Sequence, residues 1–423
     1  MKSVTRGFAP LRNPCFRLLV GGQLASNVGN AFYAVALPWY VLRVHGGTAL
    51  LGTVLAGYGA ARVATLVPGG QAADRWRPWT VMMATDSAQA VLSGLLALVA
   101  ASNRAALWEL LPIAVAIGAA NGTFTPGAFS IVPSLLPDDA LQAGNAVLNG
   151  SSQLAGLVGP AMGGAVVALV GPAAAFGLDG VSFVISVVSL AAIWARRPSA
   201  ASQATPDSRT SAAIQGPKAP GAWQLARHER VLQVLLLVVL VANLGSGGLV
   251  GVAFPALAHG PFHIGAGGYG ALLAFSAAGG LVGVLAAAHL RPGRRPAIRA
   301  CWLSLVANGL LAMVPYLGGP VGAGVDIVVW AAVNTLAILV LITLLQRWAP
   351  PGSRGRVMSL FLLASVGAYP VSVALAGFAV PELGPGPFFP LTAIFTTVAV
   401  LGALTQAQFR DLGRVQSRAD VPM

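Results

Sequence analysis

Charge is what this chain has least of. Of its 423 residues only 9% are Asp, Glu, Lys or Arg, and just two of the 25 basic residues are lysines. A soluble globular domain carries about 25% charged residues, so a water-covered surface cannot be built from this composition. Disorder is excluded by the opposite signal, 56% hydrophobic residues and a mean hydropathy of +0.76. Cysteine is nearly absent: Cys15 and Cys301 lie far apart at the edges of apolar runs, with no disulfide or metal spacing. No G-x-x-x-x-G-K-[ST] stretch occurs, which argues against an ATP-driven pump. His259 and His263 are separated by Gly260 and Pro261, so they do not share a helical face, and no metal site is expected. No polar stretch could house a soluble catalytic domain, and the histidines cannot join a Ser/His/Asp set, so neither an enzyme nor a cofactor is expected. The net charge of +13 would suggest nucleic acid in a soluble protein. In a membrane protein it reports which loops face the cytoplasm, and no nucleic-acid partner is expected.

What the chain does have is long apolar runs. A spanning helix needs about 20 mostly apolar residues, and twelve such runs can be read: 16–42, 49–69, 80–102, 107–131, 140–170, 173–195, 231–257, 267–289, 300–319, 323–346, 357–380 and 387–408. The basic N-terminus leads straight into the first long run, with no short apolar core and cleavage site, so no cleaved signal peptide is expected. The ninth and tenth runs are separated only by Gly318, Gly319, Pro320 and Gly322. The run at 140–170 is long and glycine-rich, and could begin as a surface helix. An even number of spans puts both termini on one side. On that scheme 22 of the 25 basic residues fall on the terminal side, Arg43 and Arg104 fall opposite, and Arg62 lies inside a helix. The positive-inside rule then makes both termini cytoplasmic.

The longest polar stretch, 196–230, is rich in Ser, Ala, Pro and charge and reads as a cytoplasmic linker. It divides the chain into 1–195 and 231–423, six spans each. The turns ADRWRPW (73–79) and LRPGRRP (290–296) each follow the second span of their half, and LLPDD (135–139) and APPGSRGR (349–356) each precede the fifth. This is weak internal symmetry of the parallel-repeat kind.

A family resemblance appears at these residues. GGQAADRWRPWTVM (69–82) resembles the signature loop of the major facilitator superfamily, with Gly70, Asp74 and Arg75 matching, while Pro78 and Trp79 stand where a later basic pair would be. FRLLVGGQLASNVGNAF (16–32), ALPWYV (36–41), FTPGAFSIVPSLLPDDALQAGNAV (124–147), LVGPAMGGAV (157–166), FGLDGVSFVIS (176–186) and RGRVMSL (354–360) resemble its drug-exporter branch, which includes macrolide and siderophore efflux proteins. The resemblance implies two six-helix bundles, alternating access, and substrate bound near the midplane between the halves. It also makes Gly70, Asp74 and Arg75 a candidate conformational latch, the alternative being a solvated turn. Gly70 would permit close helix approach there.

Ionisable residues inside spans are costly in lipid and are functional candidates by default. Arg62 should face a cavity or pair with an acid, either binding an anionic group or holding a structural contact. Asp86 and Asp179 resemble acids kept by the branch and are candidates for coupling or gating, or for helix-packing hydrogen bonds. Asp326 is another coupling candidate, with helix capping as its alternative; Glu109 reads in the same way. Asn27, Asn30, Asn243 and Asn334 are candidate cavity-lining amides, with Tyr33 and Trp39 as aromatic contacts. Asn243, Asn308 and Asn334 could equally bond between helices. Relatives often carry Asp where Asn30 stands; an amide cannot titrate, so coupling here would use another acid or another ion. Gly159 and Gly163 form a GxxxG expected to pack helices closely at the half interface.

The expected protein is therefore an all-α membrane protein of twelve helices in two six-helix bundles. It exports a small lipophilic or amphipathic molecule, with proton exchange as the expected coupling. The alternatives are an uptake transporter or a non-transporting sensor or scaffold on the same fold. Its expected partners are a small-molecule substrate, membrane lipid and protons; it is expected to be a monomer. The expected location is a bacterial cytoplasmic membrane, the arginine excess hinting at a GC-rich source.

Overall fold

The structure is a computed structural model that describes residues 9–45, 47–102, 106–137, 140–196, 227–289, 295–349 and 354–410. Most of the linker expected at 196–230 and residues 138–139, 290–294 and 350–353 of the turns lie outside the described residues.

The described residues form twelve long helical passes. In the first half these are α1 (Pro14–His45), α2 (Thr48–Trp76), α3 (Pro78–Ala101), α4 (Leu107–Ile131), α5 (Leu141–Leu169) and α6 (Pro172–Ala195). The second half contributes α7 (Arg230–His259), α8 (Gly265–His289), α9 (Pro296–Met313), α10 (Pro320–Trp348), α11 (Arg354–Gly367 continued by Tyr369–Leu383) and α12 (Pro385–Thr405). Eleven are long and apolar enough to cross a membrane; α1, whose centre carries Gln23, Ser26, Asn27 and Asn30, is the twelfth helix. The segment expected at 140–170 is one continuous helix. Several turns are built as Gly-Pro steps. Gly171, Gly319 and Gly384 take positive φ and end one helix, and the following proline opens the next, where its missing N–H costs nothing.

On α3 and α6 the polar residues face inward and the exposed face is apolar. On α3, Val91, Leu95 and Leu98 are exposed while Asp86, Gln89, Ser93 and Leu96 are buried. On α6, Leu178, Val181, Ile185 and Val188 are exposed while Asp179, Ser182 and Ser186 are buried. That inversion suits a hydrocarbon solvent, in which polar groups must be satisfied within the protein.

The chain divides into two compact units. The first comprises Met1–Ala204 with Phe254–Ala274 and Val373–Glu382. Glycines set its closest contacts. A side chain at Gly118 or Gly122 of α4 would collide with the backbone carbonyls of Tyr58 and Arg62 on α2. Thr65 on α2 donates to the Ala119 carbonyl across the same seam, at 3.0 Å. The GxxxG pair packs on α1, Gly159 against Ala31 and Gly163 against Phe32, while Gly164 is the residue that meets Gly270 of α8. Gly52 of α2 crosses Gly377 of α11 backbone to backbone.

The second unit comprises Thr205–Ala253, Phe275–Ser372 and Leu383–Met423. It repeats the glycine device with the roles exchanged: Gly279 and Gly283 of α8 meet the carbonyls of Val328 and Ala332 on α10. Its apolar core includes Leu232, Leu235, Cys301, Leu345, Val357 and Val400. Two of its helices are interrupted, which the apolar pattern does not reveal. α7 contains a π turn at Leu249–Ala253, and α11 breaks at Ala368. Ser372 sits at this joint, fully buried. Its hydroxyl accepts from the Gly248 N–H at 2.6 Å and donates to the Leu244 carbonyl. The hydroxyl thus bridges the two backbone groups of one helical rung, just before the π turn. Gly247 leaves the room, since a Cβ there would stand 3.0 Å from the Ser372 Oγ.

Replacing Ser372 by alanine strands the buried Gly248 N–H. The expected cost is about 1–3 kcal/mol, read as a lower melting temperature of the purified protein in detergent; an unchanged melt would show that the inserted hydroxyl contributes nothing.

Candidate functional site

The polar residues of α3 and α6 form a ladder inside the first unit. Asp86, Gln89 and Ser93 recur at i, i+3 and i+7 on one face of α3; Asp179, Ser182 and Ser186 do the same on α6. The two faces meet antiparallel, so each carboxyl finds a serine on the opposite helix. The Ser186 hydroxyl donates to Asp86 Oδ2 at 2.6 Å, and the Ser93 hydroxyl donates to Asp179 Oδ2 at 2.7 Å. Ser182 turns back to the Asp179 carbonyl at 2.7 Å. Asp86, Ser93, Asp179 and Ser186 are each 0–2% exposed, too little for water to serve as partner. Among the described residues, Oδ1 of each aspartate and Oε1 of Gln89 have no hydrogen-bond partner.

α1 closes over this ladder through small residues. Gly29 lies against Ser182 and Asp179, where a Cβ would come within 2.7 Å of Asp179 Oδ1, and Gly22 lies against Ser189. α2 completes the end near Asp179. Tyr58 and Arg62 lie one turn apart on α2, and Tyr58 is within electrostatic reach of both Arg62 and Asp179. Arg62 is half-buried, and its Nε has no hydrogen-bond partner among the described residues. The Tyr33 ring stands 6.1 Å from that of Tyr58 and 6.2 Å from that of Phe176, one turn before Asp179. Tyr58 thus has the Arg62 guanidinium, the Asp179 carboxyl and the Tyr33 ring in its surroundings.

A family model described as Major Facilitator Superfamily matches residues 19–373. The chain belongs to that superfamily. Its members are transporters rather than enzymes, and this one is a multi-pass membrane protein. It is 28% identical over 385 residues to the multidrug efflux pump Tap of Mycobacterium tuberculosis, covering 86% of this chain and 87% of Tap. It is also 28% identical over 282 residues to the MFS-type transporter y4rN of Sinorhizobium fredii, covering 66% of this chain and 67% of that protein. Among solved structures, the nucleoside transporter NupG aligns with a TM-score of 0.72 at 14% identity, covering 95% of this chain and 100% of NupG. A bacterial homologue of the iron transporter ferroportin, in an inward-facing state, aligns with a TM-score of 0.66 at 19% identity, covering 92% of this chain and 96% of that one. Likeness at such low identity shows the fold alone.

Of the candidates read from sequence, the structure of this superfamily member places Tyr33, Arg62 and Asp179 around Tyr58, with Asp86 at the far end of the α3–α6 ladder. Asn27 and Asn30 are half-buried on α1, and the Asn30 amide is turned back to the Ser26 carbonyl at 2.9 Å. Trp39 lies further along α1, its ring 5.1 Å from that of the exposed His259. In the second unit Asn243 donates to the Val239 carbonyl, and Asn308 bonds across to Thr397 at 3.1 Å; Asn334 is half-buried. Glu109 does cap its helix, accepting from the Ala106 N–H at 3.2 Å.

Capping does not describe Asp326. α10 starts at Pro320, earlier than the apolar run suggests, so Asp326 falls in its second turn, buried, with Oδ2 unpartnered. At the signature loop the close approach belongs to Gly69, whose Cβ would stand 2.6 Å from the Thr123 Cα; a Cβ at Gly70 would meet only Pro126, at 3.8 Å. The Asp74 side chain lies outside the described residues. Arg75 is exposed, its guanidinium 5.8 Å from the Trp76 ring. Arg77 turns the chain at φ 72 and stands 5.5 Å from the Trp79 ring.

Sequence reasoning missed Tyr58, Ser93, Ser182, Ser186 and Gly29. The shared i, i+3, i+7 spacing on α3 and α6 was the signal that could have found the serines.

The packing at Gly29 is testable. A Gly29→Ala change should lower the melting temperature by the equivalent of about 1–3 kcal/mol. Adding Ser182→Ala should recover part of the loss by removing the hydroxyl in the way; a wild-type melt for Gly29→Ala would refute the close contact.

Proposed function

We propose that this transporter exports a small lipophilic or amphipathic molecule by alternating access, driven by exchange for protons. The observation that carries the export reading is the similarity to the Tap efflux pump along most of both chains. The polar cluster of the first unit supports it. Arg62 and Tyr58 offer hydrogen-bond donors next to the Tyr33 ring, a combination suited to a ligand with an apolar body and a polar group. Asn27 and Asn30 are the nearby amides on α1. Asn243 and Asn334 are the polar candidates of the second unit, and Trp39 is a more distant aromatic contact. Gly70, Asp74 and Arg75 act as a latch that is made in one conformation and released in another. Buried carboxyls at Asp86, Asp179 and Asp326 are the groups available for coupling or gating.

The location proposed is a bacterial cytoplasmic membrane, with a monomeric chain and both termini in the cytoplasm. The arginine distribution supports this orientation. A reporter that fluoresces only in the cytoplasm, fused after Met423, should be bright, and the same reporter inserted after Arg104 should be dark. The reverse pattern would invert the topology.

Cells expressing the protein should extrude ethidium faster than control cells, and collapsing the pH gradient should abolish the difference. Extrusion that is indifferent to the gradient would remove proton exchange. Arg62→Ala and Asp74→Asn should each lower the extrusion rate at least about tenfold, equivalent to ~1.4 kcal/mol; wild-type rates in both would remove these residues from the mechanism.

A further inference from the structure

α5 carries a polar face of its own. Asn145, Asn149 and Ser152 recur at i, i+4 and i+7, with Gln153 beside Ser152, and all four are exposed. Gly156 continues the row at i+11, and a Cβ there would meet nothing within 4 Å among the described residues. The exposed apolar residues Leu154, Val158 and Met162 fall on the opposite side of the helix. Ser152 and Gln153 lie roughly 17 Å along the helix axis from Leu141, near the middle of α5.

About five turns beyond Asn145 the same face is closed. Gly163 packs on Phe32 of α1, and Gly164 beside it meets the Gly270 backbone of α8. All of these residues belong to the first unit. The polar row is thus the open continuation of a sealed seam. Amides set against lipid tails would lack hydrogen-bond partners, and the apolar side of α5 already supplies the hydrocarbon face, so water reaches this row. It is also uncharged: α5 has no Asp, Glu, Lys or Arg from Leu141 to Leu169. Each amide and the serine hydroxyl both donate and accept. Asn149 donates through Nδ2 to the Asn145 carbonyl at 3.0 Å and keeps Oδ1 as an acceptor. A charged ligand group would give up its hydration for neutral partners, which is costly, whereas hydroxyl groups exchange water for equivalent bonds.

We propose that this row on α5 recognises the polar part of the transported molecule, and that this part is an uncharged group bearing several hydroxyls, as a glycosyl group is. Asn149, Ser152 and Gln153 meet successive hydroxyls along the helix, and the space at Gly156 admits the ring that carries them. This names the substrate class of the proposed exporter and rests on that reading for its use. The binding itself does not depend on transport.

The test is thiol labelling of the full-length protein in lipid nanodiscs, with the unsubstituted protein as the blank for Cys15 and Cys301. A thiol reacts as its thiolate, which needs water, so Asn149→Cys and Gln153→Cys should label with a water-soluble maleimide at least about tenfold faster than Leu154→Cys and Val158→Cys. Three probes then share one coumarin body: methylumbelliferyl glucoside, the anionic glucuronide, and the methyl ether, which has no sugar. The glucoside at twice its dissociation constant should slow the labelling of either polar-face variant about threefold, as occupancy requires. The glucuronide and the methyl ether at the same concentration should leave the rate unchanged. Adding Gly156→Leu should abolish the protection. Melting temperatures identify a collapsed variant, and either polar-face position suffices if the other does not fold. Equal labelling of the two faces, no protection by the glucoside, or equal protection by all three probes would overturn the proposal. If ethidium extrusion is absent but the glucoside protects as stated, the exporter reading falls and the recognition surface stands. If extrusion is normal and the glucoside does not protect, only the recognition surface falls.

Discussion

Two hydrogen bonds, Ser93 to Asp179 and Ser186 to Asp86, join α3 to α6 at both ends of one buried face. A carboxyl in a hydrocarbon-like interior must find its donors within the protein, and these serines are the donors the chain supplies. Because the residues recur at i, i+3 and i+7 on both helices, only one antiparallel register satisfies both acids. A shift by one turn would strand them. That register in turn fixes which side of α6 meets α1, and only Gly22 and Gly29 make the approach of α1 possible.

The same demand explains the other polar seams. α2 carries Tyr58 toward Asp179 because Gly118 and Gly122 let α4 rest directly on the carbonyls of Tyr58 and Arg62. Glycine here removes bulk in a setting where helices gain little from excluding water and depend on close packing. In the second unit Ser372 bonds both the Gly248 N–H and the Leu244 carbonyl, so that these backbone groups are satisfied beside the π turn of α7.

Much of this was legible in the sequence. Twelve apolar runs correspond to twelve helical passes, and the Gly-Pro step at 319–320 was enough to separate two of them. Arg62 and Asp179 stood out as ionisable residues in apolar runs. Other parts were not legible. Gly70 matched a motif, but the crossing depends on Gly69, one residue and roughly 100° of helix away. Asp326 looked like a cap because the helix start was read from apolarity, whereas Gly319 and Pro320 start it sooner. The serines were invisible because a serine in an apolar run costs little and draws no attention until its partner helix is known.

By itself the sequence determined that the chain is a bundle of membrane helices, because lipid selects on composition and length, which are properties of each segment alone. It also determined which few residues would have to be explained inside the bundle. Only the tertiary structure decided that Asp86 and Asp179 are bound to serines of the opposite helix, that Tyr58 has both Arg62 and Asp179 within electrostatic reach, and that Ser372 bonds the α7 backbone. Each of these depends on how one helix is rotated and tilted against another, and helix rotation is set by many packing contacts together rather than by any local pattern.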